Sequence, residues 1–131
     1  MNDVHILQIP VPDPGGADTL LLLKAPSDSH GGGITLLAAH AVNHAATGSG
    51  TTFTFALHKF SNAGTPAVNG TISDTLGGTA APWTDSVPKE FTLDADYIFL
   101  DAGEWLALSY VEVNSGNPTK GEICVHYVMG K

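Results

Sequence analysis

His40 and His44, in the stretch HAVNH, are the closest-spaced imidazoles in the chain. On a helix, that four-residue spacing lets two rings share a zinc ion. The zincin pattern also needs a Glu directly after the first His as general base, and Ala41 stands there instead. On a strand the two rings lie about 13 Å apart, well outside one coordination sphere. His5, His30, His58 and His126 add no tight spacing, so no metal ligand is assigned and the histidines read as surface or interface residues.

The carboxylates of DADYIFLDAGE (Asp94, Asp96, Asp101 and Glu104) are the other source of hard ligands. An EF-hand is excluded, because Tyr97 to Leu100 are apolar where ligands and the turn glycine belong. Asp101, Ala102 and Gly103 read as a turn, leaving a calcium site between two loops as the alternative to solvated turn carboxylates. Nucleophilic chemistry finds no better support. There is no G-x-S-x-G elbow and no CxxC, and GSGTTF lacks the third glycine of a dinucleotide fingerprint. Cys124, the only cysteine, lies in EICVHYV among apparent strand-core residues and reads as a small buried hydrophobe. The sequon NGT at 69 to 71 reads as a turn. No catalytic residue, cofactor or metal is expected, and the chain is not expected to be an enzyme.

What remains is contact chemistry. Trp83, in TAAPWTDS, could stack on a sugar together with Tyr97 or Tyr110, or anchor an interface. Trp105 opens EWLALSYVEV, a strand-like run with Leu106, Leu108 and Tyr110 on one face and Trp105, Ala107, Val111 and Val113 on the other. A strand with no polar face needs a cover on both sides. The proline-punctuated IPVPDPGG reads as an extended arm or a tether that loses little entropy on docking. The interface candidates are therefore Ile9, Pro10, Val11, Pro12, Pro14, Trp83 and Trp105.

Composition narrows the partners. A chain of 131 residues suits one domain. Thirteen acidic residues against five lysines, with no arginine, give a net charge of -8, which repels phosphate backbones and anionic lipid, so neither nucleic acid nor membrane is expected as a partner. No apolar run approaches the roughly 20 residues of a bilayer span, and no basic n-region precedes the first apolar patch, so export is not expected. Charged residues are only 14% of the chain, against about 25% in ordinary soluble domains. With a mean hydropathy of +0.10, that points to a surface partly given over to assembly, through an outer sheet face or the rim.

Turn chemistry divides the chain throughout: PDPGG, APSDSHGGG, ATGSG, SNAGTP, TLGGTAAP and NSGNPTKG hold most of the 15 Gly and eight Pro. The runs between them predict strands near 3–9, 18–24, 33–45, 51–60, 68–73, 87–93, 96–100, 104–113 and 121–129. GITLLAAHAVNHAA would tolerate a helix, but it has no cap before Ile34 and only strands around it. The expected architecture is all-β: a single-domain, two-sheet antiparallel sandwich with eight or nine strands over 18–131, preceded by an extended arm over 1–17.

The succession GITLLAAHAVNHAA, TTFTFALHKFSNAGTP, VPKEFTL, LDAGEWLALSYVEV and EICVHYVMG resembles the small jelly-roll head decoration, or cement, proteins of tailed bacteriophages, over about residues 18 to 130. That resemblance implies a structural virion protein without enzyme activity, made in the host cytoplasm and placed on the capsid exterior. It implies binding to the major capsid protein and self-association, as a homotrimer in preference to a dimer. The alternatives are a glycan-binding module of a phage fiber or baseplate, with Trp83 as platform, and a cupin-like metalloenzyme. The spacing of HAVNH is not the H-x-H that cupin sites generally show.

Overall fold

The computed structural model describes residues 3–11, 17–27, 32–43, 52–61, 66–77, 83–113 and 121–130. They form nine strands: β1 (His5–Val11), β2 (Ala17–Lys24), β3 (Ile34–Asn43), β4 (Thr52–Phe60), β5 (Pro66–Gly77), β6 (Lys89–Glu90), β7 (Phe99–Leu100), β8 (Trp105–Val113) and β9 (Gly121–Met129). One sheet runs β1-β9-β3-β6, with β7 also on β3, and the other runs β2-β8-β4-β5. The pairs β1·β9, β2·β8, β3·β6 and β4·β5 are all antiparallel. They are the rungs of one long folded-back ribbon. Rolling that ribbon brings β9 onto β3 and β8 onto β4, and these contacts close the two sheets. This is the jelly-roll winding, so the expected two-sheet antiparallel sandwich is the fold observed.

The ambiguous alanine-rich segment is strand β3. It pairs with β9 on one side and with β6 and β7 on the other. Two flanking ladders outweigh the weak helix preference of alanine. Ile34, Leu36, Ala39, Ala41 and Asn43 are buried toward the other sheet. The change of parity after Leu36 reflects a register shift between Leu36 and Ala38, which throws Leu37 outward.

The core lies between the sheets and draws on both. Phe55 and Leu57 of β4, Leu106, Leu108 and Tyr110 of β8, and Ile123 and Val125 of β9 are buried there with Trp83 and Leu100. A second register break, in β4 between Ala56 and His58, is met by a side chain: the buried Leu57 N–H donates to Ser73 Oγ at 2.9 Å. The Ser73 hydroxyl in turn donates to the Asp74 carbonyl at 2.8 Å.

Two short segments tie the layers together. Asp74 N–H donates to the Thr92 carbonyl and Asp94 N–H to the Ile72 carbonyl, while Thr92 N–H donates to Asp74 Oδ1 at 2.8 Å. The stretch after β6 thereby crosses to β5. The predicted turn in DAGE is present: Glu104 N–H donates to the Asp101 carbonyl, and Gly103 takes the positive φ of 84° that the turn requires. Ala25 locks it, donating to the Glu104 carbonyl and accepting from Gly103 N–H.

Two expectations are corrected. The extended arm expected over 1–17 is, over His5–Val11, an edge strand in unbroken register with β9. Alternation with the pleat carries Leu7 and Ile9 against the core and buries Val11 within it, so Val11 is a core residue and not a surface contact. Trp83 is only 2% exposed. It packs edge-on against Phe55 with ring centroids 5.3 Å apart, and is therefore a core anchor.

Candidate functional site

The two outer sheet faces differ, and the difference locates the surface available for contact. On the β2-β8-β4-β5 sheet the outward row of β8 is Trp105, Ala107, Ser109 and Val111. Ala107 lies between Leu21 of β2 and His58 of β4, and those larger neighbours leave it 0% exposed. Trp105 lies between Lys24 and Phe60, with Lys24 Nζ 5.4 Å from its ring centre, and is half-buried. Small residues flanked by long ones cover the middle of the β8 row from within the sheet, while Leu21 beside it stays 39% exposed. Burial there also pushes the His58 imidazole below its ordinary value of 6.5, by desolvating its charged form.

More of the exposed large apolar side chains lie on or beside the other sheet. Ile6 of β1 is 64% exposed, Val4 just before it 56%, and Leu37 at the β3 bulge 49%. The register assembles three rows across the outward face: Ile6–His126–Ala38, Gln8–Cys124–His40–Glu90, and Pro10–Glu122–Val42. Gln8, His40, Val42, Pro88, Glu122 and Cys124 border a shallow depression of about 250 Å³. The rings of His40 and His126 stand 6.0 Å apart. The face is thus an apolar and imidazole surface with carboxylates at Glu90 and Glu122.

The middle row sets a thiol, an imidazole and a carboxylate on adjacent strands, the order of nucleophile, base and orienting acid. Acyl transfer would also need donors for an oxyanion. β9 and β3 each have strands on both sides, and their ladder bonds engage the backbone donors that could serve. No three His, Cys, Asp or Glu side chains among the described residues gather to hold a metal ion.

A separate cleft of about 490 Å³ is lined by Thr71, Asp74, Thr92, Asp94 and Tyr97. Its carboxylates already serve the fold, Asp74 Oδ1 accepting from Thr92 N–H and Asp94 Oδ1 from Asp96 N–H. Glu104 Oε1 similarly accepts from Asp101 N–H at 2.7 Å. The acidic cluster read from sequence is therefore spread over two turns, with Asp94 and Glu104 each accepting from a turn amide.

Of the predicted contact residues, Ile9 is half-buried against the core, Pro10 is exposed on β1, and Trp105 is on the opposite sheet. Pro12, Pro14 and His44 lie outside the described residues. The structure brings Pro10 onto the same face as Ile6 and does not join Trp83 or Trp105 to it. Ile6 and Leu37 were missed. Ile6 had a legible signal: HILQIPV is a seven-residue strand without a charged residue, so its edge is guarded by Pro10 alone. Leu37 had none, since its exposure follows from a bulge.

Among the described residues no helix is long and apolar enough to cross a membrane. No family model matches the chain, and no curated protein matches it. Among solved structures, a CocE/NonD family hydrolase from Staphylococcus aureus aligns over 97% of this chain and 32% of its own, at 13% identity and a TM-score of 0.38. The infectious bursal disease virus Gx strain structure aligns over 99% of this chain and 37% of its own, at 13% identity and a TM-score of 0.32. The chain thus spans about a third of each, and at such scores neither likeness carries a functional argument.

Proposed function

We propose that this chain is a structural decoration protein that binds the outside of a tailed-phage capsid and bridges major capsid protein subunits, acting by contact without chemistry. The observation that carries the reading is the apolar outer face and edge of the β1-β9-β3-β6 sheet, where Ile6, Val4 and Leu37 stay exposed although the core between the sheets is filled. Ile6 on β1 and Leu37 on β3 lie on either side of β9, and exposed apolar residues gathered on one sheet of a small domain support a contact surface. The sequence resemblance to cement proteins supports the major capsid protein as partner, the virion exterior as location, and self-association as a trimer or dimer.

Packaged DNA presses outward on a shell. Each molecule that buries area across a subunit seam raises the cost of parting those subunits, at about 25 cal/mol per Å² of apolar surface removed from water. Repetition over a capsid makes a modest contact collectively large. The glycan-reader alternative loses its platform, because the Trp83 ring is in the core.

Mixing purified protein with empty shells of its virus and sedimenting them tests the proposal. Saturable co-sedimentation that is weakened by Leu37→Asp, in a variant that keeps its thermal transition, is the expected result. No binding at several-fold molar excess over capsid subunits overturns it.

A further inference from the structure

We infer that two copies of this chain join through their β1 strands, extending the β1-β9-β3-β6 sheet across a two-fold axis. The inference concerns the isolated protein and does not rest on the capsid reading.

Sheet edges are templates for further pairing, and proteins blunt them with charges, prolines, bulges, short strands or covering segments. Three of the four edges here are blunted by charges, register shifts or shortness. β2 has Asp18 and Lys24 and a register shift between Leu21 and Leu23. β5 is broken by two register shifts against β4 and is bridged at Ser73 by Leu93. β6 is only two residues long. β1 has only a proline, Pro10, near its end: it runs seven residues in unbroken register with β9, contains no charged residue, and among the described residues has no strand on its other side.

Charge selects the occupant. Two copies that each carry -8 repel wherever carboxylates meet, and HILQIPV is a long strand edge on which they meet none. The strand is also self-complementary. In an antiparallel ladder, residues of one parity turn their N–H and C=O groups to one side, and a strand proline sits with its missing donor toward the open side. Pro10 thereby assigns the open side to Ile6 and Gln8. A two-fold axis at Leu7 sets Ile6 against the partner's Gln8, and Gln8 against the partner's Ile6. Both pairs exchange N–H···O bonds without needing a donor from Pro10. The two exposed Ile6 side chains then become diagonal neighbours on one face, within reach of each other. Such an interface is isologous and closes at two copies.

Sedimentation velocity across a concentration series, joined to disulfide trapping, tests the pairing. Wild-type protein is expected to shift from the mass of one chain to that of two as concentration rises. Ile6→Lys should raise the dissociation constant up to about fivefold by placing like charges diagonally across the axis, with its thermal transition kept. In a Cys124→Ser background, Leu7→Cys should give a disulfide-linked dimer under mild oxidation and Ile9→Cys much less, since only position 7 meets itself. A strict monomer at all concentrations overturns the inference, as does equal trapping at both positions or a dimer indifferent to Ile6→Lys. None of these failures bears on shell co-sedimentation, which reports separately on the capsid reading.

Discussion

The Trp83 indole meets the Phe55 ring edge-on at 5.3 Å, with Lys89 Nζ 5.8 Å from the indole on the way into β6. The contact plugs the sandwich with a residue from a connection, joined to one from the middle of β4. Trp83→Ala is expected to destabilise the fold by about 3–5 kcal/mol, because the connection cannot refill so large a volume. Trp83→Phe should cost less. Urea unfolding followed by far-UV circular dichroism checks both, and an alanine variant of unchanged midpoint would show that the site collapses freely.

Ser73 answers the amide of Leu57 where the β4·β5 register breaks. Ser73→Ala leaves that buried N–H without its acceptor, so a loss of about 1–3 kcal/mol is expected. Amide hydrogen exchange at Leu57 provides a local readout. Its protection should fall by more than that of Leu108, the residue opposite it on β8.

His58 gives the fold a pH dependence of defined sign. Burial holds its folded pKa below 6.5, so in the interval beneath 6.5 the unfolded chain binds the extra proton. Stability is then full above 6.5 and declines as pH falls from 6.5 through the lowered folded value. His58→Gln should flatten this part of the profile. Denaturation midpoints at pH 8 and pH 5 for both proteins check it, and an identical difference in the two would refute the assignment.

Ser86 adopts φ 59° in the turn closed by Val87 N–H donating to the Thr84 carbonyl. A side chain in the left-handed region costs roughly 1–2 kcal/mol, part of which glycine returns as entropy lost on folding. Ser86→Gly is therefore expected to raise stability by up to about 1 kcal/mol, read as a higher thermal midpoint. A lower midpoint would mean that the hydroxyl bond to Asp85 outweighs the backbone strain.

Much of the fold was legible before any coordinates. β4 and β9 were readable end to end, because alternating or continuous apolar runs bounded by Gly and Pro act locally. The two-sheet sandwich was legible through the order of strands and breaks, and its jelly-roll winding through the resemblance to cement proteins. The contact surface was only partly so: Pro10 was identified, but Val11 and Trp83 are core, and Ile6 and Leu37 were missed. Trp83 sits between turns, where no periodicity says which way a side chain will face.

By itself the sequence determined that this protein is a β-sandwich, where most of its strands run, and that Asp101 to Glu104 form a turn. These properties follow from dihedral preferences, side-chain period and composition, which neighbouring residues settle among themselves. Only the tertiary structure decided which apolar surface stays open. Ala107 is sealed by Leu21 and His58, from segments far away in the chain, while Ile6 is left bare because nothing pairs beyond β1 among the described residues. Exposure depends on which strands become neighbours across a ladder, and that is settled only when the whole ribbon has rolled.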